Sequence, residues 1–236
     1  MPLTFDHRPA ESPFIERVWH TQSGSSGEFT SIALNHWQMC IWTHQERTYV
    51  TVRGVETKPT RAYCPPDATF FGITFRMSAA LPSLMPSILV DNAVHLPANG
   101  QRFWLGGMSW EVPTYNNIDV FIDRLARTET LLRDPVIDAA LHGRSSDRTL
   151  RSVQRRFVSV AGVSHTTLYQ IERARHATLL LRQGASILDT VDEVGYADQS
   201  HLTRALRRWI GQTPTQIQRE AASASLSFLF KTVRPD

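Results

Sequence analysis

Two clusters of arginine and small polar residues carry the side chains of this 236-residue chain that are best suited to binding chemistry. The guanidinium fork of arginine fits phosphate oxygens and the edge of guanine, and amides, hydroxyls and imidazoles hydrogen-bond to bases or phosphates. These residue types therefore predict contacts with nucleic acid. The first cluster is Arg151, Ser152, Gln154, Arg155 and Ser159, and the second is Gln199, Ser200, His201, Thr203, Arg204, Arg207 and Arg208.

Each cluster lies on one face of a predicted helix, and the two helices are copies of an internal repeat that aligns 151–168 with 200–217. In both copies apolar residues recur at i, i+4, i+7 and i+8, which indicates one buried helix face. A glycine then ends the helix, and a serine or threonine caps the next one. The matched residues are Arg155 with Arg204, Gly162 with Gly211, and Ser164 with Thr213, which Pro214 follows at the first helical position.

A further helix precedes each copy. In the second unit it is predicted over 187–194 and ends at Gly195, and Ser200 is expected to cap the helix that follows. A helix, a glycine turn and a second helix with outward arginines is the helix-turn-helix arrangement. In the first unit the leading helix is predicted over 135–141, and its turn, 142–150, is about two residues longer than that of the second unit.

A linker helix predicted over 165–183 joins the two units. At about 1.5 Å per residue it would be about 28 Å long. Successive major grooves on one face of B-DNA lie about 34–36 Å apart. A helix of this length could therefore hold two reading helices against one DNA duplex.

Composition and charge support that reading and exclude other classes. With 42% hydrophobic residues and a net charge of only +3, the chain is globular rather than disordered or of low complexity. No run approaches the roughly 18 apolar residues of a membrane span, and residues 1–14 lack a secretion-signal pattern, which predicts a cytoplasmic protein. The charge is unevenly divided, with −2 over 1–130 and +5 over 131–236.

The N-terminal half is predicted to be mostly β. Short segments rich in β-branched and aromatic residues suggest a small sandwich or barrel, and the prolines between 77 and 100 favour loops or short helical turns there. Most of the aromatic residues should be core, and a minority could line a ligand pocket. The predicted strands are 30–35, 37–43, 47–54 and 68–76.

From residue 117 the apolar period becomes helical, with Asn117 as a plausible N-cap and an end near residue 132. This helix could close the first domain, connect the two domains or pack in a dimer. The N-terminal half also contains the rival functions. An enzyme would need a nucleophile, base or metal-ligand constellation there, and an alkyl-accepting repair protein would need an activated cysteine. His36 and His44 have no carboxylate at ligand spacing, and Cys40 and Cys64 stand alone, so neither a metal nor a cofactor is predicted.

Over about 135–220 the sequence resembles the AraC/XylS family of transcription regulators. The resemblance is carried by Gly195-Tyr196, by the run from Asp198 to Arg204, and by Ile210-Gly211-Gln212-Thr213-Pro214, with Arg155-Arg156-Phe157 and Gly162 in the first unit. It implies an α+β chain that regulates transcription rather than an enzyme. The implied partners are double-stranded DNA, a small-molecule effector, RNA polymerase and a second copy of the chain. A β-rich enzyme or binding protein with a helical appendage is the alternative.

The change of residue pattern near 117 and this resemblance together predict a domain plan. It places a β-rich sensing or dimerisation domain, whose cupin-like form is an analogy only, at 1–115 and a connecting helix at 116–134. A double helix-turn-helix domain, its units joined by the linker helix, follows at 135–220, with a tail at 221–236.

Overall fold

The structure, a computed structural model, describes residues 5–142, 149–219 and 226–227. Strands dominate its N-terminal half and helices its C-terminal half, which confirms the predicted α+β class. The N-terminal elements are β1 (Phe5–Pro9), β2 (Ile15–Gln22), β3 (Gly27–Ser31), β4 (Gln38–His44), β5 (Arg47–Arg53), β6 (Thr60–Cys64), β7 (Thr69–Phe75), β8 (Ala79–Ala80), α1 (Pro86–Leu89), β9 (Ala93–Leu96), β10 (Ala98–Asn99), β11 (Arg102–Leu105) and β12 (Met108–Glu111). They are followed by α2 (Ile118–Arg127), β13 (Leu132–Arg133), α3 (Pro135–Leu141), α4 (Leu150–Ala161), α5 (His165–Arg182), α6 (Ile187–Val194), α7 (Gln199–Trp209), α8 (Pro214–Arg219) and β14 (Leu226–Ser227).

A six-stranded sheet in the order β1-β2-β7-β4-β5-β9 forms the centre of the N-terminal half. All its neighbouring strands are antiparallel. The β4–β5 hairpin turns at Gln45 and Glu46, whose φ angles of 48° and 63° suit the tight two-residue turns that match strand twist. A smaller sheet places β3 between β6 and β14.

The predicted strands 37–43, 47–54 and 68–76 are confirmed as β4, β5 and β7. The predicted strand over 30–35 is displaced, because β3 ends at Ser31 and the following residues pack against the C-terminal helices. The sequence pattern does not predict β1, β2, β6 or the strands from β8 to β14. Within 77–100, α1 is one of the expected short helical turns, whereas β9 extends the large sheet at its edge.

Helix α2 confirms the start of the helix predicted from residue 117 but not its end. Asn117 stands at the N-cap position, although no helix N–H donates to its side chain. The helix stops near Thr128, whose hydroxyl donates back to the Arg124 carbonyl at 3.0 Å, and Glu129 takes a positive φ of 56°. The buried face of α2 packs in the same core as the large sheet, so this helix closes the β-rich core.

The C-terminal helices begin and end largely where the sequence indicates. The backbone N–H of Thr167 donates to Ser164 Oγ at the start of α5, and α5 ends at Arg182, one residue before the predicted end. The glycines that follow α4, α6 and α7 have φ angles of 75°, 73° and 85°, a left-handed conformation that glycine adopts without steric cost. They are Gly162, Gly195 and Gly211.

The two halves share apolar packing. Ile32, Ala33, Val55 and Met77 of the N-terminal half are buried in the same core cluster as the helices α4 to α8. Positions 143–148 of the long turn predicted over 142–150, and most of the predicted tail, lie outside the described residues. The β-rich half and the outward-facing helices are therefore parts of one packed body.

Candidate nucleic-acid interface and cavity

Helix α7 presents the second predicted cluster on the side that faces away from the core. Leu202, Leu206 and Trp209 form its buried side. The structure places all seven predicted residues of this cluster on the helix and leaves each of them at least partly accessible. His201 and Thr203 are half-buried, and the exposed members are Gln199, Ser200, Arg204, Arg207 and Arg208.

The cap at the start of α7 is Asp198, so the prediction that Ser200 caps this helix is wrong. The Oδ1 atom of Asp198 accepts a hydrogen bond of 2.6 Å from the backbone N–H of His201. A carboxylate satisfies a free N–H group and also interacts favourably with the helix dipole. Ser200 therefore lies within the first turn with its side chain exposed.

The three arginines of α7 form no ion pair with any carboxylate in the described part of the chain. Arg208 places its guanidinium over the ring of Trp209, with Cζ 4.3 Å from the ring centroid. Stacking of this kind uses the face of the guanidinium and leaves its in-plane N–H donors available. Arg204 and Arg207 are exposed on the same helix, so α7 carries a concentrated, accessible positive charge.

His201 is held by the turn that precedes α7. Its ring meets the ring of Tyr196 edge-on at 5.1 Å, and its Nδ1 accepts a 3.5 Å hydrogen bond from the N–H of Ala197. Arg173 lies over Tyr196 at 3.9 Å and donates from Nε to the Val194 carbonyl at 3.0 Å. Burial raises the pKa of Tyr196 to about 12, although Arg173 opposes this shift. The phenol thus stays neutral at physiological pH, and the turn fixes the direction in which His201 projects.

Two hydroxyl groups of the predicted clusters donate within their own helices. Thr203 Oγ1 donates to the Gln199 carbonyl at 2.8 Å, and Ser159 Oγ donates to the Arg156 carbonyl at 2.8 Å. A hydroxyl has one proton and two acceptor lone pairs. In these rotamers Thr203 and Ser159 can therefore accept a hydrogen bond from a base amino group but cannot donate one to a phosphate.

Helix α4 presents the first predicted cluster, and part of it joins the start of α5 in a shared concave surface. Ser152 is half-buried in the first turn of α4, where its N–H donates to the capping Thr149 at 3.3 Å. Ser159 is exposed near the C-terminal end of the helix. The concave surface is lined by Arg151, Gln154, Arg155, Val158, Ser164, His165 and Thr166.

Arg156 has a structural role that the sequence did not reveal. Its Nε donates to Asp134 Oδ2, which is a buried carboxylate at the start of α3. The other oxygen of Asp134 caps α3 by accepting from the N–H groups of Val136 and Ile137, each at 3.0 Å. Arg156 therefore ties α3 to α4 and differs from its neighbour Arg155, which is exposed and without such a tie in the described residues.

The backbone N–H and C=O of Ala33 connect the β-rich half to the second helix-turn-helix unit. Its N–H donates to the Trp209 carbonyl at the end of α7, at 2.9 Å. Its carbonyl accepts from Nη1 of Arg175 on α5, at 3.1 Å. Arg175 is buried, and burial lowers its pKa while the Glu172 carboxylate opposes that shift. Both backbone hydrogen-bonding groups of Ala33 thus bond across the junction between the two halves.

Both outward helices end against the N-terminal half. A Cβ on Gly162 would lie 2.5 Å from Val90 Cγ2 and 2.8 Å from the Pro86 carbonyl oxygen. A Cβ on Gly211 would lie 3.0 Å from Pro59 Cγ. The position and tilt of α4 and α7 therefore depend on the surface of the β-rich half beneath them.

That half contains a cavity of about 260 Å³ on the side of the large sheet that faces β3 and β6. Its walls are mainly apolar and aromatic, which is typical of sites for small organic ligands. The segment Ser31–Leu34 matters most for communication, because Ser31, Ile32 and Leu34 line the cavity while Ala33 bonds to α5 and α7. The aromatic lining residues are Trp19, Phe29, Trp42, Tyr63 and Phe70.

The histidines of the N-terminal half are potential metal ligands, but the sequence predicts no metal site. Within the described residues there is no group of three or more His, Cys, Asp or Glu side chains that could hold a metal ion. Nε2 of His36 instead contacts the Glu16 carboxylate. Burial opposes ionisation of Glu16, but His36 and Arg17 outweigh it and hold the pKa of this carboxyl well below its ordinary value. Among the described helices, none has the length and apolar character needed to cross a membrane.

Comparisons with known proteins single out the C-terminal half. Residues 145–220 match a family model described as a helix-turn-helix domain. Over 66 residues the chain is 35% identical to the HTH-type transcriptional regulator VirS of Mycobacterium tuberculosis, in the strains CDC 1551 and H37Rv. That match covers 28% of this chain and 19% of VirS, so it spans about a fifth of the relative.

Solved structures of ToxT from Vibrio cholerae are similar over most of the chain but only distantly. One, bound to a methylnaphthalenyl butenoic acid, has 8% identity and a TM-score of 0.38, with 92% of this chain and 99% of ToxT covered. Another, bound to an unsaturated fatty acid, has 11% identity and a TM-score of 0.36, with 98% of each chain covered. The functional assignment therefore depends on the helix-turn-helix match and on the geometry of the outward helices.

Proposed function

Starting from a segment, 145–220, that matches a helix-turn-helix domain, we propose that the chain is a sequence-specific DNA-binding transcription regulator of the AraC type. The observation that carries the proposal is the exposed face of α7, where Arg204, Arg207 and Arg208 have no carboxylate partner in the described residues. Helix α7 would enter the major groove, and α4 would enter the next groove along the same face of the duplex.

The predicted residues divide into two kinds of contact. Arg204 and Arg155 occupy matched central positions of α7 and α4, where a side chain reaches base edges, and His201 and Gln154 supply further polar readout. Arg151, Arg207, Arg208 and the first-turn residues Gln199 and Ser200 lie towards helix ends and would contact phosphates. Ser152, Ser159 and Thr203 would complete the surface as hydrogen-bond acceptors or small spacers.

The N-terminal half would control this activity through a small molecule in its cavity. Support comes from the segment Ser31–Leu34, which is cavity wall on one side and bonded to α5 and α7 on the other. A ligand that shifts this segment changes the support under α7 and hence its fit to DNA. Such a regulator acts in the cytoplasm by binding rather than by catalysis, with RNA polymerase and a second copy of the chain as further partners.

The test of DNA binding is to sequence the genomic fragments that the purified full chain retains at physiological salt. We expect a small set of fragments with a shared site. A variant carrying Arg204→Ala, Arg207→Ala and Arg208→Ala should lose that set, whereas Arg61→Gln, which removes one arginine that is 88% exposed on β6, should keep it. Retention that is equal for all DNA, or equal in the triple variant, would overturn the proposal.

The test of control by a small molecule repeats the selection with and without a low-molecular-weight fraction of cell extract. Ala62 lines the cavity, so Ala62→Trp should fill it. We expect retention to change when the fraction is added to the native chain and to stay constant in Ala62→Trp, with circular dichroism showing that this variant is folded. If Ala62→Trp responds to the fraction as the native chain does, control does not pass through the cavity.

A further inference from the structure

The cavity of the β-rich half has a charge arrangement that selects the chemistry of its ligand. Its charged lining residues, within the described part of the chain, are Arg53 and Glu56, and His95 lines it as well. Arg53 Nη1 donates to Glu56 Oε1 at 2.6 Å, and Ser31 Oγ donates to Glu56 Oε2 at 3.0 Å. Both carboxylate oxygens thus already have a donor, and the Glu56 side chain is only 6% exposed.

Arg53 is in the opposite condition. Its side chain is 41% exposed, and a guanidinium has five N–H donors, of which the described contacts with Glu56 use one. His95 is also exposed, and its Nδ1 lies 2.9 Å from Thr51 Oγ1, which leaves Nε2 as the ring atom available to a ligand. Of the two charged groups in the lining, Arg53 therefore has unused N–H donors, while each oxygen of the buried Glu56 carboxylate already accepts a hydrogen bond.

The remaining walls are mainly apolar. Trp42 lies between two other aromatic rings, stacked on Tyr49 at 4.1 Å and on Phe70 at 6.0 Å, and both Trp42 and Phe70 line the cavity. A ligand with a flat or aliphatic apolar body would bury that body against these walls. Its charged end would then lie near Arg53, because an anion there gains hydrogen bonds without displacing the donors of Glu56.

We infer that the cavity binds a small organic anion with an apolar body, held by Arg53 at its anionic end. This assignment rests on the proposed role of the cavity as an effector site and names the class of effector. It also gives a route for the signal, since a bound anion would share the Arg53 guanidinium with Glu56, and Glu56 is bonded to Ser31 in the segment that carries Ala33.

The experiment uses two fluorescent probes with similar apolar bodies. One is 8-anilinonaphthalene-1-sulfonate, an anion, and the other is N-phenyl-1-naphthylamine, which lacks the sulfonate. Titration of the full native chain, without DNA, should show saturable binding of the anion at about one site, with at least tenfold higher affinity than for the neutral probe. Equal affinity for the two probes, or preference for the neutral one, would overturn the assignment.

Variants tie the result to Arg53. Arg53→Gln should weaken the anion at least tenfold and change the neutral probe less than twofold, whereas Arg53→Lys should restore most of the anion's affinity and Arg61→Gln should match the native chain. Ala62→Trp should abolish saturable binding of both probes. Anion binding that survives Arg53→Gln and Ala62→Trp equally would place the probe elsewhere and refute the inference. Because no DNA is present, that failure is separate from any failure of DNA binding.

Discussion

The two outward helices, α4 and α7, come from matched halves of one repeat but are equipped differently. Helix α7 has three accessible arginines, an aspartate cap and a histidine held by the preceding turn. Helix α4 has Val158 and Ser159 where α7 has Arg207 and Arg208, and its Arg156 is bound to a buried carboxylate. Two copies with the same fold therefore differ in how much positive charge they offer.

Their attachment to the β-rich half differs as well. Backbone lies close to the glycine after α4, because a Cβ there would lie 2.8 Å from the Pro86 carbonyl oxygen. The glycine after α7 meets only the ring of Pro59. Helix α7 is instead joined to the β-rich half by the hydrogen bond from the Ala33 N–H to the Trp209 carbonyl. The comparison indicates that α4 is held by close packing and α7 by hydrogen bonds next to the cavity, so α7 is the helix more open to control.

The largest expected effect concerns packing. Gly162→Ala should lower the free energy of unfolding by about 3 kcal/mol, since it combines left-handed strain of about 1–2 kcal/mol with overpacking against Val90 and Pro86. Gly211→Ala should cost less, and Gly195→Ala, where the nearest atom to a Cβ is 4.0 Å away on Arg173, reports the strain alone. Urea unfolding measures all three. If Gly211→Ala is as costly as Gly162→Ala, the two helices are held alike.

The next effect concerns base reading by the matched arginines. Arg204→Ala should weaken binding to the selected DNA site by about 1–3 kcal/mol, because an arginine on a guanine edge makes two hydrogen bonds. Arg155→Ala should weaken it less, as α4 has fewer neighbouring cations to hold it against the duplex. Mobility-shift titrations with the site and with a scrambled site make the comparison. A larger loss from Arg155→Ala would reverse the ranking of the two helices.

The smallest effect concerns the salt dependence of binding. Arg207→Gln and Arg208→Gln should each reduce the magnitude of the slope of log affinity against log salt concentration by about 1. Each variant neutralises one phosphate fewer, so binding releases fewer counterions. Val158→Arg, which places a cation at the position of α4 that matches Arg207, should increase the magnitude of the slope by a similar amount. Arg61→Gln provides the control. An unchanged slope in Val158→Arg would mean that this end of α4 lies away from the phosphates.

Local signals explain what could be predicted from the sequence. The helices could be located because apolar residues recur at helical spacing and because glycine and serine or threonine lie at their ends, as at Gly162 and Ser164. Strands β4 and β5 could be located from alternation and from residue type. Asp198 was within reach too, since aspartate is a common N-cap residue, but serine is equally common there and Ser200 is the first residue of the second repeat copy.

The rest depends on contacts between residues far apart in the chain. Arg175 and Ala33 are separated by 142 positions, and Arg156 and Asp134 by 22. No local pattern links such pairs, because their approach follows from how the two halves pack. The same holds for the edge strand β9, which pairs with β5 across 40 or more residues, and for Arg53 and Glu56, whose place in a cavity wall appears only once β3 and β6 cover the sheet.

The hydrogen bond of the Ala33 N–H makes the junction between the two halves measurable. Because this amide hydrogen is donated to the Trp209 carbonyl, exchange of that hydrogen for deuterium requires α7 and the β-rich half to separate. Its exchange lifetime therefore measures the free energy of that separation in the intact chain, whatever side chain stands at position 33. The exchange of a single backbone amide thus reports how stably α7 is bound to the β-rich half.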